Sequence, residues 1–373
     1  MARIVIAPNA FKGSIGPVGA AEALAAGWSR VRPGDELRLV PMADGGDGTL
    51  EALGAVEPAV AQGAVVPGPV GGVLTVRWIR SEQGTATIEL ASAGGLALLA
   101  DSAMEPRRRA ARADTLGLGT AVRVAIERGA TEVVLAIGGS ASTDGGAGLL
   151  TALGARLLDA DGRPIPPGNA GLARLARIEV DGLVRPPVRG AVVLTDVTNP
   201  LLGPAGAAAV FSPQKGAAPE DVPGFEANLA RFAARLEQVL PTDPRAAGAG
   251  AAGGLGFGLQ AWGARIVDGA AEVARRAGLA AALEGAAAVV TGEGRYDAQT
   301  AGGKAPARVQ ALAAEAGVAA LLVAGAIDAP TTGWAGAVSL SVLAGGAARP
   351  LRNPAPWLAE AAGVLAGRAG WDD

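Results

Sequence analysis

The sequence predicts an α/β protein of two domains. Short runs rich in Leu and β-branched residues alternate with Ala- and Leu-rich amphipathic stretches along most of its 373 residues, a pattern typical of α/β architecture. Half of the residues are hydrophobic and 18% are charged. The chain can therefore bury a core in each domain, and an intrinsically disordered protein is excluded.

The N-terminal part of the chain shows this alternation most clearly. Arg3–Ala7 predicts a buried strand, and the stretch from Pro17 to about Ser29 predicts a helix with Pro17 in its first turn. A second strand is predicted at Glu36–Val40, and another helix begins at Thr49–Leu53. Further apolar strands are predicted at Glu132–Ile137, Ala191–Leu194, Ala287–Val290 and Val318–Ala324.

The middle of the chain has a different residue pattern. Val73–Arg80 and Thr85–Ala91 are neighbouring strand-like runs that predict an antiparallel hairpin, and residues 168–189 are irregular and rich in Arg, Gly and Pro. We therefore expect a second domain with a mixed sheet, inserted over residues 76–250. The first domain would then consist of residues 1–75 and 251–373.

Composition excludes several classes of chemistry. The chain has no cysteine and no histidine, which excludes disulfides, zinc–thiolate sites, thiol nucleophiles and an imidazole base. Proton transfer then falls to Asp, Glu, Lys or the single tyrosine, Tyr296, and a bound metal must take oxygen ligands, as magnesium does. A net charge of -3 with 3% aromatic residues disfavours nucleic-acid binding. The sequence shows no pattern of a membrane span or an export signal, and we expect a cytoplasmic protein.

Five of the predicted strands are followed by loops that carry glycine, a carboxylate or both. The carboxylates are Asp44, Asp47, Asp144, Asp196, Glu293, Asp297 and Asp328. Ligands of open α/β sheets bind beyond the carboxyl ends of the strands, so we expect these loops to form one cleft. Each loop also has a purely structural interpretation, because glycine serves tight turns and an Asp before a helix is a common N-cap.

The glycine patterns favour anion binding without a standard nucleotide fingerprint. DGGxG occurs twice, at residues 44–48 and 144–148, and such a turn at a helix start presents backbone N–H groups to an anion. The P-loop pattern GxxxxGK[ST] does not occur. The single GxGxxG match, at residues 248–253, follows no predicted strand and is interpreted as chance in a chain rich in Ala and Gly.

The positively charged side chains also favour the binding of an anion. The three lysines, Lys12, Lys215 and Lys304, all lie beside glycines, and Arg295 lies in another glycine-bearing loop. Carboxylates, a hard metal and cationic loops together favour phosphoryl transfer over acyl or hydride chemistry.

At these same residues the sequence resembles the bacterial type 1 glycerate kinases. The matching segments follow the family's order and spacing from residue 1 to about residue 345: IVIAP (4–8), FKGS (11–14), ADGGDGT (43–49), GGSASTDGGAG (138–148), DVTNP (196–200), FSPQKG (211–216), GAGAAGG (248–254) and GEGR (292–295). The resemblance implies ATP-dependent phosphorylation of D-glycerate at its 2-hydroxyl, in an interdomain cleft. It also implies a flavodoxin-like, Rossmann-like parallel-sheet domain that contains both termini, and an inserted α/β domain with a mixed sheet.

Some positions depart from the family pattern. Asn9-Ala10 stand where Asp-Ser is usual, and Asp47 replaces a usual Glu. Gly302 stands where a His commonly precedes Gly-Lys, and LGLG at residues 116–119 replaces a Gly-Thr-Gly turn. The change at Asn9 removes a carboxylate from the exit of the first strand, where a metal or the substrate would be held.

For the acceptor, we hypothesise that Asp196 acts as general base or orients the glycerate hydroxyl, because it follows a buried strand. Asn199 and Ser140 are expected to position the substrate. Arg295 is the candidate partner of the substrate carboxylate, which guanidinium matches in a two-pronged fashion.

For the donor, Asp44 and Glu293 are candidate magnesium ligands, and Lys12 or Lys215 is expected to neutralise charge on the transferred group. The expected backbone donors to the phosphates of ATP are Gly45, Gly46, Gly138, Gly139, Gly145 and Gly146.

Two alternatives remain open from the sequence. One is a kinase for another small hydroxy acid. The other is a non-catalytic ligand-binding relative, motivated by Asn9 and Ala10. A homodimer is also left open.

Overall fold

The computed structural model describes residues 1–298 and 304–368. Two compact units are found within it. The terminal unit comprises Met1–Pro58 and the chain from Asp268 onward, and the inserted unit comprises Ala59–Val267.

The first part of the terminal unit follows the predicted alternation. It contains β1 (Arg3–Ile6), α1 (Pro17–Val31), β2 (Glu36–Leu39) and α2 (Thr49–Val56). Pro17 opens α1, where its missing N–H costs no intrahelical hydrogen bond.

The inserted unit carries eight strands and eight α-helices among its described residues. They are β3 (Ala59–Pro67), β4 (Val73–Ser81), β5 (Thr85–Glu89), α3 (Leu90–Gly94), α4 (Pro106–Arg112), α5 (Leu116–Glu127), β6 (Glu132–Ala136), α6 (Ala147–Ala152), β7 (Arg156–Leu158), α7 (Gly168–Leu172), β8 (Arg177–Glu179), β9 (Ala191–Thr195), α8 (Ala207–Phe211), α9 (Val222–Leu236), α10 (Leu255–Trp262) and β10 (Arg265–Asp268), whose last residue belongs to the terminal unit.

The chain then completes the terminal unit. Its elements are α11 (Gly269–Arg276), α12 (Leu279–Leu283), β11 (Ala288–Tyr296), α13 (Ala305–Glu315), β12 (Ala319–Ile327), β13 (Gly336–Ser339), α14 (Leu340–Leu343), α15 (Ala348–Arg352) and α16 (Pro354–Ala366). No described helix in either unit is both long enough and apolar enough to cross a membrane.

The terminal unit has a parallel sheet of five strands. Its strand order is β13-β12-β11-β1-β2, with every pair parallel. Counted along the chain within this unit, that order is 2-1-3-4-5, the flavodoxin-like arrangement, whose topological switch point lies between β1 and β11. The predicted fold class is confirmed.

The inserted unit has a mixed sheet of six strands in the order β10-β9-β6-β5-β4-β3. β3, β4 and β5 pair antiparallel, whereas β5, β6 and β9 pair parallel. The predicted hairpin is present as β4 and β5. A core that includes Trp78, Phe232 and Phe257 packs within this unit.

The boundaries between the two units differ from those expected from the residue pattern of the sequence. The first crossing is at Pro58 and the second at Val267, instead of near residues 75 and 250. The physical reason at the first crossing is β3, which pairs with β4 along its whole length and so belongs to the six-stranded sheet. At the second crossing, α10 adds Leu255, Phe257 and Leu259 to the core of the inserted unit.

Two helices of the terminal unit approach closely through one glycine. Gly27 of α1 lies against the backbone carbonyl of Ala359 in α16, and a Cβ at Gly27 would clash with it. Gly363 faces the same pair of helices, but a Cβ there would lie 3.6 Å from Cγ2 of Val31, an ordinary contact. The helix pair therefore depends on the absence of a side chain at Gly27.

We expect Gly27→Ala to lower the free energy of unfolding by about 1–3 kcal/mol, because overpacking forces the two helices apart. Gly363→Ala is the matched control and should leave stability unchanged or raise it by up to about 1 kcal/mol, since alanine favours a helix interior. Calorimetric melting of both variants checks this. Equal melting temperatures would contradict it.

Candidate active site

Three adjacent strands of the terminal unit end beside one another. β1 pairs with β2 on one side and β11 on the other, with Ile6 level with Leu39 and Val290. The loop after β1 carries Asn9 and Lys12, and the loop after β2 carries Asp44. This edge includes the switch point between β1 and β11, where α/β sheets bind ligands.

Asn9 connects two of these strand ends. Its N–H donates to the carbonyl of Gly292 on β11 (2.8 Å), and its Nδ2 lies 3.4 Å from Oδ2 of Asp44. The Oδ1 of Asn9 accepts from the N–H of Ala10 (2.7 Å). An aspartate at this position could not donate to Asp44, so Asn9 orients that carboxylate in place of adding a second charge.

Asp44 keeps part of its surface exposed. Its Oδ1 accepts from the N–H of Gly46 (3.2 Å), a local turn contact. The neighbouring Asp47 is exposed, and Gly48, with φ of 90°, precedes α2 as its N-cap. Neither aspartate caps this helix through its side chain.

The segment of Lys12 runs alongside β11 at Gly292 and Gly294. A Cβ at Gly294 would lie 3.4 Å from the backbone nitrogen of Lys12, and one at Gly292 would lie 3.2 Å from Cζ of Phe11. Lys12 itself is exposed. Lys12 therefore belongs to a segment that lies beside the strand that carries Glu293.

Arg295, the predicted carboxylate partner, is paired with another residue in this structure. Its Nη1 lies 2.9 Å from Oδ2 of Asp328, which follows β12, and both side chains are at least half exposed. Exposed ion pairs of this kind contribute little to stability. A substrate carboxylate that binds Arg295 would therefore displace Asp328 at little energetic cost.

The carboxylates of the terminal unit fit magnesium bound through phosphates. Magnesium in kinases usually takes one or two protein carboxylates, several waters and phosphate oxygens. Asp44 is partly exposed at the end of β2, and Glu293 lies on β11 with 7% exposure. The described residues contain no group of three or more acidic side chains placed to hold a metal by themselves.

Two strand ends also lie side by side in the inserted unit. β6 and β9 are adjacent and parallel, with Ala136 level with Leu194. The loop 138–148 leaves β6 at this edge, and the loop 196–200 leaves β9. Asp196 is exposed, directly after β9, and Asn199 holds its loop by donating Nδ2 to the carbonyl of Ala205 (2.8 Å).

Asp144 is fully buried at the centre of the first of these loops. Its Oδ2 accepts from the N–H and the hydroxyl of Thr115 (2.9 and 2.8 Å) and from the N–H of Gly148 (3.1 Å). Its Oδ1 accepts from the N–H of Gly146 (3.1 Å). Burial raises the pKa of Asp144, although these four donors favour the ionised form.

Lys215 is buried against the same loop. It ends a short 3-10 turn, is 2% exposed, and donates from Nζ to Oγ of Ser140 (2.8 Å) and to the carbonyl of Ser142 (2.5 Å). Burial lowers the pKa of Lys215 to about 7, against the opposite pull of the Asp144 charge. The structure thus brings together Ser140 and Lys215, which the sequence assigned to substrate and ATP separately.

The GxGxxG match packs around this lysine. A Cβ at Gly253 would clash with the carbonyl of Ser142 and lie 2.7 Å from Nζ of Lys215. The adjacent Ala252 has φ of 53°, the left-handed conformation that L-residues adopt at a cost. In this segment the glycines serve close packing.

Half of the six glycines expected to donate to phosphate use their N–H groups inside the protein. Gly46 donates to Asp44, Gly145 to the carbonyl of Gly253 (3.1 Å) and Gly146 to Asp144. The acceptors of Gly145 and Gly146 are buried, whereas Asp44, the acceptor of Gly46, is partly exposed. A phosphate at any of these three N–H groups would have to replace the internal acceptor. In contrast, the N–H groups of Gly45, Gly138 and Gly139 make no hydrogen bond within residues 1–298 and 304–368.

Sequence reasoning missed Asp114 and its neighbour Thr115. Asp114 is 6% exposed, and its Oδ1 accepts from the N–H of Leu116 at the start of α5 (2.8 Å). Burial, with a further contribution from the charge of Asp144, raises the pKa of Asp114 to about 7. The available signal was the pair Asp-Thr directly before the LGLG turn, a pattern that reads as an ordinary helix cap.

Three further positions noted in the sequence are Tyr296, Lys304 and Gly302. Tyr296 is buried, and its hydroxyl accepts from Nε1 of Trp334 (3.1 Å) with the two rings edge to face. Lys304 is the N-cap residue of α13. Gly302, where the family commonly has a His, lies outside the described residues.

We expect Asp144→Ala to lower the free energy of unfolding by about 2–4 kcal/mol, because it leaves four buried donors without an acceptor. Asp44→Ala is the matched control at the same position of the other DGGxG motif. It should cost less than about 1 kcal/mol, since water can reach its two donors. Denaturant unfolding measures both, and equal losses would contradict the different roles of the two motifs.

The raised pKa of Asp114 predicts a pH-dependent stability. Between the ordinary aspartate pKa of 3.8 and the folded value of about 7, the unfolded chain releases this proton and the folded chain keeps it. The stability of the wild type should therefore fall relative to Asp114→Asn as pH rises through this window, by at most about 1.4 kcal/mol per pH unit. Urea unfolding at several pH values checks this. Asp181→Asn, an exposed surface change, should parallel the wild type, and a flat difference for Asp114→Asn would overturn the prediction.

Comparison with known proteins gives one consistent result. The model of the Glycerate kinase family matches residues 4–366. The chain is 40% identical to the Glycerate 2-kinase of Escherichia coli K12 over 309 residues, covering 82% of this chain and 80% of that protein. It is also 40% identical to the Glycerate kinase of Bacillus subtilis 168 over 330 residues, covering 87% and 85%.

A solved structure agrees with this assignment. A chain from Salmonella typhimurium LT2, assigned as glycerate kinase 2, matches with a TM-score of 0.83 and 34% identity over 98% of this chain and 97% of that one. The strand ends described above thus occur on a fold and in a sequence pattern shared with these relatives. The chain belongs to the glycerate kinase family.

Proposed function

We propose that the protein transfers the γ-phosphoryl group of ATP to the 2-hydroxyl of D-glycerate and so forms 2-phosphoglycerate. The similarity to the glycerate 2-kinase of E. coli, at 40% identity, supports the 2-position. The observation that carries the proposal is the grouping of Asp44, Asn9 and Lys12 at adjacent strand ends of the terminal unit. It supplies a carboxylate, its orienting amide and a cation at the edge where α/β sheets bind ligands.

In the inserted unit, we assign Asp196 to the glycerate hydroxyl as general base or orienting group, because it is exposed directly after β9. The Oδ1 of Asn199 makes no hydrogen bond with the described residues and can accept from a substrate hydroxyl. The Oγ of Ser140 accepts a hydrogen bond from Lys215, so the hydroxyl group of Ser140 can donate its proton to a ligand oxygen. In the terminal unit, Arg295 pairs with the carboxylate in place of Asp328.

For the phosphoryl donor, we assign Asp44 and Glu293 to magnesium, which when bound neutralises phosphate charge. Lys12 is exposed and can reach a phosphate, whereas Lys215 is held by Ser140 and Ser142. Lys12 is therefore the stronger candidate for direct charge neutralisation, and Lys215 holds the loop. The N–H groups of Gly45, Gly138 and Gly139 are the remaining backbone donors to phosphate.

The decisive experiment is a coupled ADP-release assay with D-glycerate, ATP and magnesium, with the product resolved by phosphorus NMR. A 2-phosphoglycerate resonance is the expected result. A 3-phosphoglycerate resonance would overturn the position of transfer. Absence of ADP release with D-glycerate would overturn the proposed reaction and favour another hydroxy acid or a binding role.

We expect Asp196→Asn to lower kcat by about 100-fold or more, because general-base assistance typically contributes a factor of this size. The KM for D-glycerate should change much less. The matched control is Asp181→Asn, the same substitution at another exposed position of the inserted unit. Steady-state kinetics of both variants test the assignment, and an undiminished kcat for Asp196→Asn would remove Asp196 from the mechanism.

A further inference from the structure

The inserted unit contains a cavity of about 330 Å³ to which the proposed function above assigns no ligand. It lies between the loop after β3, the starts of α5 and α6, and the segment from β7 to α7. A volume of this size is within the range of small-molecule sites. Its lining belongs entirely to the inserted unit.

One carboxyl oxygen in the lining of this cavity has no protein donor. Asp114 lines the cavity and is more than nine-tenths buried. Its Oδ1 accepts from Leu116, but its Oδ2 makes no hydrogen bond with any residue in the described part of the chain. A carboxyl oxygen that lines a cavity without a protein donor can accept a hydrogen bond from an N–H or O–H group of a ligand.

The remaining lining defines the shape and charge of that ligand. Pro67, Pro166 and Pro167, with Leu157 and Ile165, supply apolar walls suited to a flat ring. Exposed Arg112 also lines the cavity and offers a guanidinium to phosphate. A planar heteroaromatic ring with an N–H donor on its edge and an anionic tail matches this combination.

The cavity also adjoins the DGGAG loop. Ala147 and Gly148, the last residues of that motif, line it, and the N–H of Gly148 donates to the buried Asp144. Thr115, which lies between Asp114 and Leu116, is bonded to the same carboxylate. The cavity wall and the loop at the end of β6 are therefore parts of one hydrogen-bonded assembly.

We propose that this cavity binds the adenine base of ATP and that Oδ2 of Asp114 accepts a hydrogen bond from the exocyclic 6-amino group. This inference rests on the proposed use of ATP and names where its base binds. Above the pKa of about 7, where Asp114 is ionised, a 6-oxo purine presents an acceptor to an oxygen that can only accept. Asp114 then favours ATP over ITP, which has a 6-oxo group in place of the 6-amino group.

The first test exchanges the group that faces the base. In Asp114→Asn the single amide oxygen is kept by the N–H of Leu116, so the NH2 group faces the cavity and donates to a 6-oxo group. The preference for ATP over ITP, measured as a ratio of kcat/KM at a pH above the pKa of Asp114, should fall at least about tenfold. An unchanged ratio would remove Asp114 from base recognition.

The second test closes the cavity without touching Asp114. Thr151 lines the cavity and is exposed, so Thr151→Trp can fold normally while it narrows the space for the base. We expect at least about a tenfold rise in the Kd for ATP by calorimetry and in the KM for ATP, with the KM for D-glycerate unchanged. Val188→Trp, at a position 91% exposed and outside the lining, is the matched control.

The outcomes separate this inference from the proposed function. If Thr151→Trp binds and uses ATP as Val188→Trp does, the base lies elsewhere and the inference fails while the kinase activity stands. If the wild type binds ATP without phosphorylating D-glycerate, the proposed function fails, and the Kd values of the two variants still decide the inference. If the wild type does not bind ATP at all, both are overturned.

Discussion

The buried carboxylate of Asp144 is the interaction on which the loop after β6 depends. It accepts four hydrogen bonds, which join the start of α5 through Thr115 to the DGGAG loop through Gly146 and Gly148. Its charge also acts on two other buried groups: it contributes to the raised pKa of Asp114 and opposes the fall in the pKa of Lys215. Loss of this carboxylate would therefore disturb the cavity wall, the β6 loop and the buried lysine together.

The same short motif has two different roles in this chain. Asp44 and Asp144 begin identical DGGxG patterns, yet Asp44 is partly exposed with few local contacts, whereas Asp144 is enclosed and fully used. A carboxylate that accepts four internal donors has little capacity left for a metal or substrate. A carboxylate at an open strand end retains that capacity. This difference is why we assign Asp44 to the ligand and Asp144 to the architecture.

The absence of histidine and cysteine places the chemistry on carboxylates, lysines and backbone N–H groups. The structure divides these groups into two sets. Lys12, Asp196 and Asp44 keep exposed surface and can meet a ligand, whereas Lys215, Asp144 and Tyr296 are occupied by internal contacts. Phosphoryl transfer depends mainly on positioning and on charge stabilisation. Within the internal set, Asp144 and Lys215 fix the 138–148 loop after β6.

The sequence by itself determined the α/β class and the family, because strand periodicity and motif spacing are local properties of the chain. The resemblance to that family in turn implied the parallel sheet of the domain that contains both termini. It also placed the chemical groups at the strand ends. Only the tertiary structure decided which of those groups are available: the N–H groups of Gly46, Gly145 and Gly146 are already bonded, Lys215 is buried, and Asp114 lines a cavity. The first unit boundary was likewise decided by strand pairing, since β3 forms a hairpin with β4 and so becomes the edge strand of the six-stranded sheet. Burial and hydrogen-bond partners arise from residues far apart in the chain, and for this reason local pattern could not predict them.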